Sequence, residues 1–279
     1  MNENSICYLS GEFIQLADAK ISVLDRGFIF GEGIYEVMAA INNDLLHCQL
    51  HFDRLRAGAY DMQLDISMSD SELHDLIVEV LRVNNFLNSY IYLQLTKGSA
   101  PRDHFYPSEY KPTLFIMASP IVIPKRLKIV KAILQKDIRW QKCNVKTTSL
   151  YANTWAKTKA KSLGGDEAIF HRDGFLTEGA TSNLFIVNRN KVLTPKKNEF
   201  ILPGVTRHLV LKVLRNKKIS HEEVDIPVSA LWEADELLLT STTKGVVAVG
   251  EVDGTKIGQG RRCSLGTEIF QGLTKMFNN

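Results

Sequence analysis

The amino-acid sequence predicts an α+β protein made of two units, and three observations support this prediction. Extended apolar runs come in pairs around turns, as in "ICYLSGEFI" and "VMAAINNDLLHC", and such pairs are typical of β-hairpins. Segments with helical spacing occur without the regular strand–helix alternation of a parallel sheet. "SPIVIPKRLK", residues 119–128, combines two prolines with a charge cluster and predicts a linker. We therefore expect a small N-terminal domain at 1–120, a linker at 121–128 and a larger C-terminal domain at 129–279.

The N-terminal domain is expected to combine strands with two helices. "LHFDRLRAGAYDMQL" places Leu50, Leu55 and Ala59 at helical spacing. Ser69 and Glu72 fit the capping-box pattern and are followed by the apolar run of a second helix, "ELHDLIVEVLRVNN". Two β-rich runs come next, "SYIYLQLTKG" and "TLFIMAS".

In the C-terminal domain, apolar residues from Ile138 to Val145 predict an extended strand that ends at Lys146. A helix follows and ends near Gly164. "EAIFHRDGFLTEG" and "NLFIVNRNKVLTP" each predict a hairpin. "GVTRHLVLKVLRN" predicts an amphipathic helix, and "ELLLTSTTKGVVAVGEVDG" predicts further strands.

Composition excludes several classes of protein. The chain is 44% hydrophobic and 23% charged, as in an ordinary globular enzyme, and its net charge of +3 is too small to indicate nucleic acid or an anionic membrane. Four cysteines lie far apart without a CxxC pair, which opposes a zinc or disulfide framework and fits a reducing cytoplasm. The start "MNENSICYLSGEF" does not fit a signal peptide. The longest apolar stretch, 114–124, is too short to span a bilayer.

Two segments are candidate anion sites. At Gly204-Val205-Thr206 a loop enters a helix, so free backbone N–H groups and the helix dipole converge there. Hydroxyl residues 240–243 end an apolar strand, and Arg54 could add a charged contact. Since neither a P-loop nor a GxGxxG motif is found, any phosphate would have to be bound by such groups.

Glu178 and the pair Arg102 and His104 each allow two interpretations. Glu178 in "FLTEGATSN" is either a solvated turn residue or a buried carboxylate that needs a cation, such as a protonated heterocyclic nitrogen. Arg102 and His104 either form an exposed basic loop or point together at one anion. Lys146, taken alone, fits an exposed lysine. His47 and His51 do not predict a metal site, because they straddle a strand-to-helix change, need not share a face and have no evident carboxylate partner. No nucleophile elbow is present.

Six motifs in order resemble those of the fold-type IV pyridoxal-phosphate enzymes, and they extend over nearly the whole chain. They are "LDRGFIFGEGIYEV", "HFDRL", "IRWQKCNVKTTSL", "TEGATSN", "ILPGVTR" and "TSTT". That family includes D-amino acid aminotransferases, branched-chain aminotransferases and aminodeoxychorismate lyases. The resemblance implies two α/β domains with pyridoxal 5'-phosphate bound at their interface.

The resemblance also implies a role for each candidate residue. Lys146 would form the Schiff base with the cofactor and move the substrate proton, while Glu178 would pair with the pyridine nitrogen. Leu202 would pack against the ring. The phosphate would be bound by five residues: Arg54, Val205, Thr206, Ser241 and Thr242.

The substrate site points to one subfamily. In D-amino acid aminotransferases a tyrosine and an Arg-x-His loop from the neighbouring subunit bind the substrate carboxylate, and this chain matches them with Tyr35, Arg102 and His104. Arg139 and Tyr92 also fall where that subfamily has its counterparts, so the resemblance adds them to the substrate-binding residues. Pro203 and Lys97 depart from that pattern.

These matches predict a cytoplasmic, homodimeric D-amino acid aminotransferase with shared active sites. It would transfer an amino group from D-alanine-like donors to 2-oxo acids such as 2-oxoglutarate. Aminodeoxychorismate lyase and branched-chain aminotransferase are the alternatives within the fold. A pyridoxal-phosphate-fold binding protein without turnover is a third, which the joint presence of Lys146 and Glu178 disfavours.

Overall fold

The computed structural model describes residues 4–258 and 263–277. It divides into two compact units. The first contains the residues up to Ile123 together with Val145–Ser149, and the second contains Pro124–Asn144 and the residues from Leu150 onward. The main boundary therefore falls inside the segment expected to be a linker. The short segment that carries Lys146 belongs to the first unit rather than to the C-terminal one.

The first unit contains a six-stranded sheet in which every pair of neighbours is antiparallel, in the order β2-β1-β6-β5-β3-β4. Its strands are β1 (Ile6–Leu9), β2 (Glu12–Gln15), β3 (Gly33–Ile41), β4 (Asp44–Leu45), β5 (Asn88–Thr96) and β6 (Thr113–Pro120). The two predicted hairpins are confirmed: β1 pairs with β2 around Ser10-Gly11, and β3 pairs with β4 around Asn42-Asn43.

Three α-helices accompany this sheet in the described chain: α1 (Arg26–Phe30), α2 (Cys48–Asp61) and α3 (Asp70–Asn84). A short 3-10 turn covers Leu16–Asp18. The predicted capping box is confirmed, because the Ser69 amide donates to Glu72 Oε2 at 2.7 Å and the Glu72 amide donates to Ser69 Oγ at 3.2 Å. Apolar residues of the sheet and of α2 and α3 form the core of this unit, among them Met38, Phe52, Leu55, Ile77, Ile91 and Leu93.

The second unit contains a ten-stranded mixed sheet in the order β12-β11-β10-β14-β15-β7-β8-β9-β13, with β16 beside β15. Its strands are β7 (Lys128–Lys136), β8 (Glu167–Arg172), β9 (Phe175–Gly179), β10 (Asn183–Asn188), β11 (Lys191–Pro195), β12 (His221–Val224), β13 (Ile226–Pro227), β14 (Glu236–Ser241), β15 (Gly245–Val252) and β16 (Thr255–Lys256). Both predicted hairpins, β8–β9 and β10–β11, are confirmed.

The described helices of this unit are α4 (Tyr151–Ser162), α5 (Val205–Asn216), α6 (Ser229–Trp232) and α7 (Ser264–Phe277). Helix α4 contacts β7 and β8, while α5 and α7 contact β14. Helix α5 follows Gly204, as the sequence predicts. Within the described residues, none of the helices combines the length and the apolar character that crossing a membrane would require.

The prediction of a strand that ends at Lys146 is wrong. The strand in this region, β7, ends at Lys136, and the segment that follows has irregular structure up to α4. A local hydrogen bond explains the difference: Asp137 Oδ1 accepts from the backbone amide of Arg139 at 3.0 Å, which bends the chain away from a sheet ladder. Ile138 and Trp140, which suggested a buried strand, are exposed.

Candidate active site

Lys146 is fixed next to the first residues of β3. The amide of Tyr35 donates to the carbonyl oxygen of Lys146 at 2.9 Å, and the amide of Thr148 donates to the carbonyl oxygen of Gly33 at 2.9 Å. The Lys146 amine lies 4.0 Å from the centroid of the Tyr35 ring. Backbone pairing therefore brings together two of the residues that the sequence analysis selected.

Tyr92 extends this group. Its ring centroid is 5.5 Å from that of Tyr35 on the neighbouring strand, and its hydroxyl donates to Gln94 Oε1 at 2.6 Å. Burial, with a smaller contribution from Tyr35, raises the pKa of Tyr92 to about 12. The Tyr92 hydroxyl is therefore a neutral hydrogen-bonding group near neutral pH.

Glu36, which follows Tyr35 on β3, forms a buried ion pair. Glu36 accepts hydrogen bonds from Arg54 Nε and Nη2, both at 2.7 Å, and from His51 Nδ1 at 2.8 Å. Burial acts to raise the pKa of Glu36, but the charge and hydrogen bonds of Arg54 and the bond from His51 outweigh it and lower that pKa to about 2. Burial lowers the pKa of His51, and the Lys146 charge adds to that effect. Arg54 is thus a fixed cation whose guanidinium is positioned by Glu36.

The sequence analysis found no carboxylate partner for His51, and the structure shows that Glu36 is that partner. One signal was present in the sequence. His51 and Arg54 are three apart on a predicted helix and therefore share a face, but nothing in the sequence aligned that face with one residue of β3. The contact depends on how helix α2 packs on the sheet.

Arg102 and His104 lie in the loop between β5 and β6, and both are exposed. Each contacts Phe30 of α1: the Arg102 guanidinium is 5.5 Å from the ring centroid, and the His104 ring is 5.7 Å from it. The structure therefore brings these two candidates together on one aromatic surface.

In the second unit, Glu178 is buried at the end of β9, so it is not a solvated turn residue. It accepts from Arg139 Nη1 at 2.5 Å, from Asn183 Nδ2 at 3.0 Å and from the Leu202 amide at 2.9 Å. Burial raises the pKa of Glu178, and Arg139 acts against that increase. Arg139 also binds Asp137 through Nη2 at 2.8 Å. Among the described contacts, Arg139 is therefore engaged with these two carboxylates.

The amino terminus of α5 is suited to an anion. No side chain caps it, so its first N–H groups and the positive end of the helix dipole face outward from the helix. Val205 and Thr206 are buried there. A Cβ atom at position 204 would lie 1.9 Å from Asn183 Oδ1, so a larger residue there requires the Asn183 side chain to move. The turn is further fixed by a hydrogen bond from Asn183 Nδ2 to the Leu202 carbonyl oxygen at 2.8 Å.

The end of β14 adjoins this turn. Thr240 is the register partner of Asn183 on the neighbouring strand, and Ser241 and Thr242 follow it. The Thr240 hydroxyl is buried and has no hydrogen-bond partner in the described structure. A buried hydroxyl without a partner is costly, so the Thr240 hydroxyl is a candidate hydrogen-bonding group for a bound polar molecule. Both predicted phosphate segments of this unit therefore neighbour Asn183.

Comparison with known proteins identifies the family. The model of the amino-transferase class IV family matches residues 33–252. A D-alanine aminotransferase of Staphylococcus haemolyticus is 35% identical over 271 residues, covering 96% of this chain and 96% of that protein. A D-alanine aminotransferase of Bacillus licheniformis is 34% identical over 253 residues, covering 90% of this chain and 89% of that protein.

A solved structure shares the fold. The branched-chain amino acid aminotransferase of Escherichia coli matches with a TM-score of 0.91 and 24% identity, covering 98% of this chain and 95% of that chain. The protein belongs to the class IV aminotransferase family. The resemblance and the fold class predicted from the sequence are confirmed.

The Glu36 ion pair generates a stability prediction. Replacing Glu36→Gln leaves the buried Arg54 guanidinium without its counterion, and we expect a loss of about 3–5 kcal/mol in the free energy of unfolding at pH 7. The folded pKa of about 2 lies below the ordinary value of 4.5. The stabilisation by ionised Glu36 is therefore complete above about pH 4.5 and is lost as the pH falls towards 2. The difference in the free energy of unfolding between wild type and variant should therefore become smaller as the pH falls from 4.5 towards 2.

Urea unfolding followed by circular dichroism at several pH values measures both effects. Glu79→Gln is the matched control, because Glu79 pairs with Arg82 on the exposed face of α3, where an ion pair contributes little. Equal effects of the two substitutions, or a difference that does not change below pH 4.5, would contradict the assignment of Glu36 as a buried counterion.

Proposed function

We propose that this protein is a pyridoxal-phosphate-dependent D-amino acid aminotransferase that moves an amino group from D-alanine-like donors to 2-oxo acids such as 2-oxoglutarate. The observation that carries the proposal is the Lys146 amine held beside the Tyr35 ring by backbone pairing with β3. Similarity to D-alanine aminotransferases over 96% of the chain supports the choice of substrate class.

The residues of the second unit fit pyridoxal phosphate. The uncapped start of α5 and the unpartnered Thr240 hydroxyl suit the phosphate, together with Thr206, Ser241 and Thr242. Glu178 suits the ring nitrogen. A carboxylate offers about four lone-pair positions and three donors already bind Glu178, so one position is left for a ring N–H.

Arg54 of the first unit would add its guanidinium to the phosphate, with Val205 contributing its backbone amide and Leu202 packing on the ring. When bound, pyridoxal phosphate supplies a conjugated ring that accepts the electron pair released at the substrate Cα. The chain's own residues then have to bind the substrate, hold the cofactor's charges and move one proton.

Lys146 is the residue suited to that proton. Lys146 is half-buried and its amine lies beside the Tyr35 ring, so Nζ would take the proton from the substrate Cα and deliver it to C4′ of the cofactor within the same half-reaction. The neutral Tyr92 hydroxyl next to Tyr35 provides a hydrogen bond without adding charge. Arg139 holds Glu178 in place and sets its orientation towards the ring nitrogen.

The substrate carboxylate would be bound by Arg102, His104 and Tyr35. Because an arginine offers a planar pair of donors, it suits a carboxylate better than a single point charge does. The Arg102–His104 pair distinguishes this proposal from a branched-chain aminotransferase, in which that pair is not expected. Tyr35 distinguishes it from an aminodeoxychorismate lyase, since the lyases generally lack this tyrosine. A binding protein without turnover would not need the Lys146 amine.

We further infer a homodimer in which Arg102 and His104 serve the active site of the partner subunit. Phe105 in their loop is 82% exposed, and Val23 (74%) and Phe28 (68%) are exposed in the segment whose residues Leu24 and Asp25 pair with Ala100 and Ser99. A patch of this kind on a soluble enzyme is typical of a protein interface. A cytoplasmic location is part of the same proposal and agrees with four cysteines that all lack a disulfide.

A substrate panel tests the activity. D- and L-amino acids should be assayed with 2-oxoglutarate, beside an assay for pyruvate release from aminodeoxychorismate. We expect transamination of D-alanine and not of the L-branched-chain amino acids, and no pyruvate from aminodeoxychorismate. Preference for L-leucine or L-valine would replace the proposal with a branched-chain aminotransferase, and pyruvate release would replace it with a lyase.

Covalent labelling tests the role of Lys146. Incubation with pyridoxal phosphate followed by borohydride should fix a phosphopyridoxyl group on Lys146, which peptide mass spectrometry locates. Lys146→Ala should lose the label and nearly all transamination, because the same amine binds the cofactor and moves the proton. Lys142→Ala, which removes an exposed lysine four residues away, should keep both. A label on another lysine would disprove the assignment.

Mixing two inactive chains tests the shared site. Arg102→Ala and Lys146→Ala homodimers should each have little activity, whereas a heterodimer has one doubly altered site and one intact site. Activity should therefore return to a substantial fraction of wild type once subunits have exchanged, as verified by native mass spectrometry. Verified heterodimers without activity would show that Arg102 does not act on the partner's site.

A further inference from the structure

The loop that carries Arg102 and His104 is attached to a buried cation at its first turn. Arg26 is 1% exposed and binds Glu32 twice, with Nε–Oε2 at 2.7 Å and Nη2–Oε1 at 2.9 Å. Its Nη1 donates to the carbonyl oxygen of Asp103 at 2.8 Å. Asp103 stands between Arg102 and His104, so this bond fixes the backbone from which both side chains project.

A second buried cation holds the other side of the same loop. Lys97 is 1% exposed, and its amine donates to the carbonyl oxygen of Gln63 at 2.8 Å. The same amine lies 3.6 Å from the centroid of the Tyr106 ring, a cation–π contact. Burial lowers the pKa of Lys97, so the charged form depends on these partners. The compact ammonium of lysine can sit close over a ring face.

Tyr106 is held by this contact together with partial burial. Its side chain is 52% exposed, so about half of its surface stays in contact with water. The Arg26 guanidinium also lies near this ring but is farther away, 5.8 Å from the ring centroid. The loop ends also meet tightly: a Cβ atom at Gly98, where φ is +74°, would lie 1.9 Å from the carbonyl oxygen of Lys111.

We propose that the Lys97–Tyr106 contact is a clamp that positions Arg102 and His104 for the substrate carboxylate. Lys97 and Tyr106 are then positioning residues, since neither needs to touch the substrate. The inference rests on the proposed function and deepens it, because it names the contact that determines how well the loop recognises an α-carboxylate.

Substitutions at Tyr106 test the clamp with little risk to folding, because this side chain is half-exposed. Tyr106→Leu removes the ring, Tyr106→Phe keeps it, and Tyr60→Leu makes the same change at a tyrosine that is 86% exposed on α2. Amide hydrogen exchange of the β5–β6 loop should accelerate in Tyr106→Leu alone. Light scattering should show that all three proteins keep the mass of the wild type.

Steady-state kinetics test the role of the clamp in recognition. We expect Tyr106→Leu to raise KM for D-alanine and 2-oxoglutarate roughly three- to thirtyfold, the range that a cation–π contact supports, with little change in kcat. Tyr106→Phe should restore the wild-type KM. Lys97→Met should raise KM at least as much as Tyr106→Leu, because it removes the hydrogen bond to Gln63 as well as the contact with Tyr106. The double variant should be no worse than Lys97→Met, since that substitution has already removed the contact with Tyr106.

Arg102→Ala, assayed in parallel, separates the two possible failures. Unchanged loop exchange in Tyr106→Leu overturns the clamp, whatever the kinetics show. Faster exchange with an unchanged KM, while Arg102→Ala weakens carboxylate binding, overturns the positioning role. If Arg102→Ala leaves carboxylate binding intact, the proposed function of the loop has failed and the role of the clamp fails with it, although the exchange data still establish the contact.

Discussion

The pairing of residues 145–149 with the first residues of β3 is the constraint on which the candidate site depends. This segment has no regular secondary structure, and a lysine in an unpaired loop would have no fixed position. Two backbone hydrogen bonds and the Ile34–Thr147 bridge hold it against the sheet. The same strand then contributes Tyr35 and Glu36 in succession, one on each face. Strand geometry alone thus places an aromatic ring on the side of Lys146 and a carboxylate on the side of helix α2.

Glu36 of the first unit and Glu178 of the second are buried carboxylates that each bind an arginine, with different consequences. Glu36 is bound by Arg54 and His51 and is ionised far below neutral pH, so it serves as a counterion that orients Arg54. Glu178 has a raised pKa despite its contact with Arg139, because burial dominates. When burial raises the pKa of a carboxylate, a further cation or N–H donor nearby stabilises its ionised form. This difference supports assigning Glu178 to the protonated ring nitrogen and Glu36 to the scaffold.

Local sequence patterns predicted most of the fold, because hairpins, the capping box at Ser69 and the start of α5 depend on residues close together in the chain. The segment before Lys146 was predicted wrongly, since a single turn at Asp137 overrides the apolar pattern of a strand. The partners of His51 and Glu178 could not be found from spacing. They join residues 15 and 39 positions apart that meet only after helices and strands have packed.

Phe30, Arg26 and Lys97, which contact the loop with Arg102 and His104, all belong to the same unit as the loop. In a dimer with shared sites, each subunit would therefore present Arg102 and His104 in a geometry that is set before the subunits meet. Pre-set geometry lowers the entropy lost when a substrate carboxylate binds. The loop would also meet two requirements with neighbouring residues: association with the partner subunit and recognition of the substrate carboxylate. Under the proposed function, exposed apolar residues such as Phe105 would serve association, while the buried cations Arg26 and Lys97 would hold the loop that carries the recognition groups.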